Sequence, residues 1–148
     1  MTEHIVKNII IKGSPDEIYS LWEDFESFPK FMRYIRSVRK IDEKRSLWSM
    51  RFCLALRLKW EARLTDLQKD RRIAWNSVSG DIKTSGQVTF LGLDHNETDV
   101  TVHMQYVPPL GYLGAVLVRW ISNPDGKVME DLKRFKKHAE QGHAMAKL

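Results

Sequence analysis

Cysteine is almost missing: Cys53 stands alone among 148 residues. One thiol excludes an internal disulfide framework and any zinc site built on paired cysteines, and it fits a reducing compartment, so a cytoplasmic protein is expected. Long apolar runs are lacking as well. An apolar stretch, residues 107–118, contains Pro108 and Pro109 and stops at Arg119, well short of the ~20 residues needed to span a bilayer. The N-terminal apolar stretch, residues 5–11, is interrupted by Lys7 and Asn8 and has no small-residue cleavage site. No secretory signal is therefore expected, and the mature chain is read as the whole chain, soluble or at most peripheral to a membrane.

Catalytic and cofactor motifs are also absent. Gly80, Gly86 and Gly92 are too scattered for a phosphate-cradling loop at a strand-to-helix turn. His4, His95, His103, His138 and His143 do not pair with one another or with Cys53 at metal-ligand spacing. Even His138 and His143, on one predicted helix, point roughly 140° apart. Neither a metal nor another cofactor is expected, and no nucleophile–base pair emerges.

At 17.4 kDa the chain has the size of one domain, read as residues 1–148, and can bury a core without disulfide or metal support. Lys and Arg number 24 against 19 Asp and Glu, a net charge of +5 that permits an anionic partner without demanding one. The charge is segregated. Residues 14–28 hold five acids and no base, whereas residues 30–45 hold seven bases against Asp42 and Glu43. That basic run is either a solvated face or a docking patch for phosphate or lipid headgroups; sequence-specific nucleic-acid readout is not expected without a recognition motif.

What is present is mostly alternation. Ile5, Ile9 and Ile11 mark a first strand that stops at Gly13. Ser14, Pro15 and Glu17 then form a capping-box pattern for a helix whose apolar side carries Ile18, Leu21 and Trp22. Phe25, Phe28, Phe31 and Met32 continue that face through a second short helix expected to break near Pro29. Period-two alternation follows: Trp48, Met50, Phe52 and Leu54; Leu58, Trp60, Ala62 and Leu64; Ile73, Trp75 and Ser77; Val88 and Phe90; Val100, Val102, Met104 and Tyr106. Short polar connections such as Gln68-Lys69-Asp70 and Asp94-His95-Asn96 fit consecutive antiparallel hairpins. One sheet with one dry side results.

Only the C-terminal third can cover that side. Leu110, Leu113, Leu117 and Trp120 lie at helical spacing; Ser122-Asn123-Pro124-Asp125 breaks and recaps the helix; Val128, Leu132, Phe135 and Ala139 then form an apolar stripe, with Lys127, Asp131, Arg134 and Lys137 placed elsewhere on the circumference. An α+β layer architecture is predicted.

Several stretches carry a resemblance. They are Ile18-Tyr19 through Trp22, the run Phe25-Glu26-Ser27-Phe28-Pro29-Lys30-Phe31-Met32, Trp60-Glu61-Ala62, Arg72-Ile73-Ala74-Trp75 with Ser77, Gly80, Gly86-Gln87-Val88-Thr89-Phe90, and Glu130-Asp131-Leu132-Lys133-Arg134-Phe135-Lys136. In this order they resemble the polyketide cyclase/dehydrase branch of the START-like (SRPBCC, helix-grip) superfamily. The resemblance implies a seven-stranded antiparallel sheet wrapped around a long C-terminal helix, with two short helices after the first strand and an apolar cavity inside. It leaves the chemistry open, since the superfamily includes lipid and quinone carriers, aromatase/cyclases and interaction modules.

The inner face supplies aromatic and sulfur-bearing bulk with a few polar tips. The expected cavity residues are Trp48, Phe52, Trp60, Trp75, Ser77, Phe90, Met104 and Tyr106 from the sheet, with Leu113 and Leu117 from the helical side. No inner strand face presents the convergent titratable groups that cyclase chemistry would ask for. The expected function is therefore binding or carriage of a small apolar ligand such as a lipid, quinone or polycyclic aromatic. A polyketide aromatase/cyclase and a ribosome- or membrane-associated interaction module are the alternatives. Lys30, Arg33, Arg36 and Arg39, beside Phe28, Phe31 and Met32, are the candidate docking surface for an anionic membrane. The pattern leaves the oligomeric state open.

Overall fold

Strand β1 (Glu3–Lys12) buries Ile5 and Ile11 and turns Val6 and Ile10 to water. Helix α1 (Pro15–Glu23) and a 3₁₀ helix (Phe25–Lys30) follow, and then six strands: β2 (Ile35–Lys40), β3 (Arg45–Cys53), β4 (Leu56–Gln68), β5 (Arg72–Gly80), β6 (Lys83–Leu93) and β7 (Glu97–Val107). Helix α2 (Pro124–Ala146) closes the fold. The structure is a computed structural model describing residues 2–53, 56–107 and 123–146, with the backbone alone for residues 52, 53, 56 and 143–146. The predicted helical segment carrying Leu110, Leu113, Leu117 and Trp120 lies outside the described residues.

All seven strands form one antiparallel sheet in the order β1-β7-β6-β5-β4-β3-β2. Its edges, β1 and β2, are joined through α1 and the 3₁₀ helix, so the curled sheet brings both short helices and α2 onto its dry side. Buried residues from every layer meet there: Ile18, Trp22, Phe25, Phe28, Ile73, Val88, Val100, Leu132 and Phe135. The sheet's hairpins turn where the sequence marked them, with Asp70, His95 and Asn96 in the left-handed region.

Three local expectations need correction. The Ser14 hydroxyl donates to the Asp16 carboxylate instead of capping a backbone N–H, so no capping box forms. That bond is the main cause holding the Asp16 carboxyl below its ordinary value. Pro29 does not break the second helix but lies inside it. Strand β2 is the seventh strand, which alternation alone did not reveal, because a register shift between Ile35 and Ser37 puts two buried residues, Ile35 and Val38, three apart. An inserted residue of this kind interrupts the period of two.

The recapping at Asn123 is as expected. Its side-chain oxygen accepts the Gly126 N–H at 3.1 Å, its carbonyl accepts the Lys127 N–H at 3.2 Å, and Pro124 takes the first helical position.

Candidate functional site

Between the concave sheet face, the 3₁₀ helix and the first half of α2 lies a cavity of about 210 Å³. One wall is aromatic. Trp48 and Trp60, directly paired across β3 and β4, stack with ring centroids 6.0 Å apart and planes within 15°. Phe28 meets Trp48 edge-on at 5.4 Å. Farther round, Trp75 lies over Gly86, where an added Cβ would come within 2.9 Å of the Trp75 ring and 2.4 Å of the His103 carbonyl oxygen. Gly86 is thus the gap in the sheet that lets the indole lie down, and Met104, its partner in β7, lines the cavity beside it.

Five of the predicted lining residues, Trp48, Trp60, Trp75, Met104 and Tyr106, do line this space. Two do not. Phe90 is on the correct face but too far along the sheet: it is core, 5 % exposed, under α1 against Tyr19 at 5.4 Å and Trp22 at 6.3 Å. Ser77 stands just beyond the last β5–β6 pair, Asn76 with Ser85, and its hydroxyl accepts the Thr84 N–H at 3.0 Å, facing a separate polar cleft. The hydroxyl finishes the ladder where backbone pairing has stopped. The Phe52 side chain, Leu113 and Leu117 lie outside the described residues.

The polar groups in the wall are few, and several are already engaged. The Trp48 indole N–H donates to the Ser46 hydroxyl at 2.8 Å and is thereby taken up within the wall. Thr84 donates to the Gln105 carbonyl at 3.1 Å. Burial pushes the Tyr106 phenol above its ordinary value, and the Glu3 and Asp125 carboxylates act in the same direction.

Asp131 and Lys127 also line the cavity, which corrects their assignment to the outer circumference of the C-terminal helix. Asp131 lies three residues after Val128 and four before Phe135, so it shares their side of α2. Its side chain is 21 % exposed and ion-paired with Arg134, and the Arg33 N–H donates to it at 3.3 Å. The Arg134 Nε–H in turn donates to the Phe31 carbonyl at 2.9 Å, tying α2 to the turn after the 3₁₀ helix. Burial raises the Asp131 pKa and outweighs the opposing bonds from Arg134 and Arg33. An acid inside an apolar stripe, with a base three residues on, was the available signal.

The candidate docking residues Lys30, Arg33, Arg36 and Arg39 are all exposed, Arg36 and Arg39 on edge strand β2. Their expected apolar companions are not. Phe28 and Phe31 are each 3 % exposed in the core, and Met32 lines the cavity. Among the described residues there is no group of three His, Cys, Asp or Glu side chains able to hold a metal ion, and no helix long and apolar enough to cross a membrane.

A seven-stranded antiparallel sheet curled around a C-terminal helix, with short helices after the first strand, is the START-like helix-grip fold. Within it, the chain belongs to the family described as polyketide cyclase / dehydrase and lipid transport, whose sequence pattern matches residues 11–132. A crystal structure from Deinococcus radiodurans is 30 % identical, with a TM-score of 0.75 over 95 % of this chain and 98 % of that one. The Zhui aromatase/cyclase from Streptomyces sp. R1128 superposes with a TM-score of 0.76 over 95 % of each chain at 14 % identity, a likeness of fold alone. An uncharacterized 17.2 kDa protein of Streptomyces lincolnensis, from the melC2-rnhH intergenic region, is 31 % identical over 86 residues, covering 55 % of this chain. The match takes in 53 % of that protein, so the chain spans about half the length of this curated relative.

Proposed function

We propose that the protein binds and carries a small, largely apolar molecule in the cavity between its sheet and α2. The observation that carries this reading is the cavity itself, about 210 Å³ walled by Trp48, Trp60, Trp75, Met50 and Met104. An apolar cavity of ~150 Å³ holds a benzene, and pockets for drug-sized ligands run to roughly 300–1,000 Å³. The size therefore points to a molecule of one or two fused rings, or a short chain of similar bulk. Native mass spectrometry before and after mild delipidation, with titration of tryptophan fluorescence by naphthalene, tests it. A bound mass or saturable quenching is the expected result; neither, together with a crystal structure in which side chains fill the space, would overturn it.

Asp131 is the one observation that favours a second reading, a cyclase- or dehydratase-type enzyme acting on a polyketide-like molecule. Burial lifts its pKa, which suits proton transfer. Such chemistry asks for several convergent groups, however, and Ser46 and Thr84 are bonded within the wall. Turnover of a poly-β-ketone probe, abolished in Asp131→Asn, would select this reading over carriage.

A further inference from the structure

The ligand reading leaves open what kind of apolar molecule the cavity selects. Both bonds that reach the Asp131 carboxylate, from the Arg33 N–H and from Arg134, end on Oδ1. Among the described residues Oδ2 accepts none. It is not sealed away either, since the side chain keeps 21 % exposure and lines the cavity. A carboxylate held by one oxygen is fixed in orientation, and its other oxygen is left as an acceptor beside an aromatic wall.

We propose that Asp131 Oδ2 is the polar anchor of the cavity, so that the preferred ligand is a small apolar molecule bearing one hydrogen-bond donor, of the phenol or alcohol class. This rests on the ligand-binding reading above and sharpens it. A neutral donor fits better than a cation, because the charge of Asp131 is already offset by Arg134 and the Lys127 side chain lines the same stretch of α2. An anion is disfavoured by the carboxylate itself. A hydroxyl donating to Oδ2 would also work against the burial that raises the Asp131 pKa.

The test is a two-by-two comparison of 2-naphthol with 2-methylnaphthalene, which replaces the hydroxyl by a methyl of similar size. Both are titrated by tryptophan quenching into the wild-type protein and into Asp131→Asn. Taking the ratio of the two affinities within each protein cancels their different solubilities in water. The naphthol-to-methylnaphthalene ratio is expected to fall by about tenfold or more in Asp131→Asn, in line with a hydrogen bond to a charged acceptor, while 2-methylnaphthalene itself binds about equally to both proteins. Asp131→Ser, which cannot reach as far into the cavity, gives the same reading should the amide variant not fold. An unchanged ratio with both probes still bound overturns the anchor and leaves the cavity reading intact. Binding of neither probe to the wild-type protein overturns both.

Discussion

Trp60 and Phe135 are both buried aromatics, 9 % and 0 % exposed, yet truncating them should have opposite signatures. Phe135 is enclosed by rings, with Trp22 at 4.8 Å and Phe31 at 5.1 Å. Phe135→Ala removes contacts on every side and is expected to cost about 3–5 kcal/mol. Trp60 has protein on one face, the stacked Trp48 at 6.0 Å, and also borders the cavity. A ring edge facing empty space has no dispersion contacts to lose there, so Trp60→Ala should cost only about 2 kcal/mol. At roughly 2–4 °C per kcal/mol for a chain of this size, the melting temperature drops by about 4–8 °C for Trp60→Ala and by about twice that for Phe135→Ala. Ligand binding reverses the order. Naphthalene affinity, measured by calorimetry well below each midpoint, should fall at least about tenfold in Trp60→Ala and stay within about threefold in Phe135→Ala. Urea denaturation of the two variants with and without naphthalene provides both readings. Equal stability losses with naphthalene affinity untouched in Trp60→Ala would refute the reasoning and return Trp60 to a closed core.

Three further outcomes follow from particular contacts. Gly86→Ala should destabilise the protein by about 1–3 kcal/mol, since its Cβ would meet the His103 carbonyl oxygen at 2.4 Å, and it should blue- or red-shift the Trp75 emission by tilting the indole; an unchanged midpoint and spectrum would contradict the packing. The Asp131 carboxyl is raised above its ordinary 3.8 in the fold, so the folded state binds its proton more tightly than the unfolded chain. Wild-type stability should therefore rise, relative to Asp131→Asn, as pH falls from above the raised value towards 3.8, and a difference flat with pH would refute that. Asp42 behaves in the opposite sense: backbone N–H donors of Lys44 and Arg45 with the Arg45 guanidinium lower it to about 2, so the β2–β3 turn should stay ordered above 3.8 and loosen as pH falls from 3.8 towards about 2. Amide exchange at Lys44 and Arg45 reports the loosening, and protection unchanged in Asp42→Ala would speak against it.

The sheet was legible where alternation holds over several residues, because side chains then alternate between a buried and a wet face, as they do from Leu58 to Leu64 in β4 and from Val100 to Tyr106 in β7. It failed at β2, where the bulge after Ile35 shifts Val38 onto the buried face and leaves a run of bases that reads as loop. The cavity was legible in part for the same reason. Parity says which face a residue occupies, and Trp48, Trp60, Trp75, Met104 and Tyr106 were found that way. It says nothing about what stands opposite. Phe90 shares the face of Val88 but meets α1, whereas Trp75 lies over Gly86 and borders the cavity. Ser77 failed because its hydroxyl answers to the end of a backbone ladder, which depends on where two strands diverge.

Asp131 was hidden by the habit of reading every charge on an amphipathic helix as solvent-facing. Its position has an energetic consequence. A partly buried ion pair is weak support for a fold, because desolvation offsets much of its attraction, and well-packed apolar side chains at the same two positions are often as stable or more so. Folding alone therefore gives little reason for a carboxylate between Val128 and Phe135. Arg134 could tie α2 to the Phe31 carbonyl through its Nε without Asp131, since that bond uses a different nitrogen. What the carboxylate adds is an oriented acceptor at a wall built mostly of aromatic, thioether and aliphatic groups. In a site with so few unengaged polar atoms, one such acceptor is enough to decide which end of a ligand enters first, because a donor placed anywhere else along Trp48, Trp60 and Met104 would lose its water without replacement.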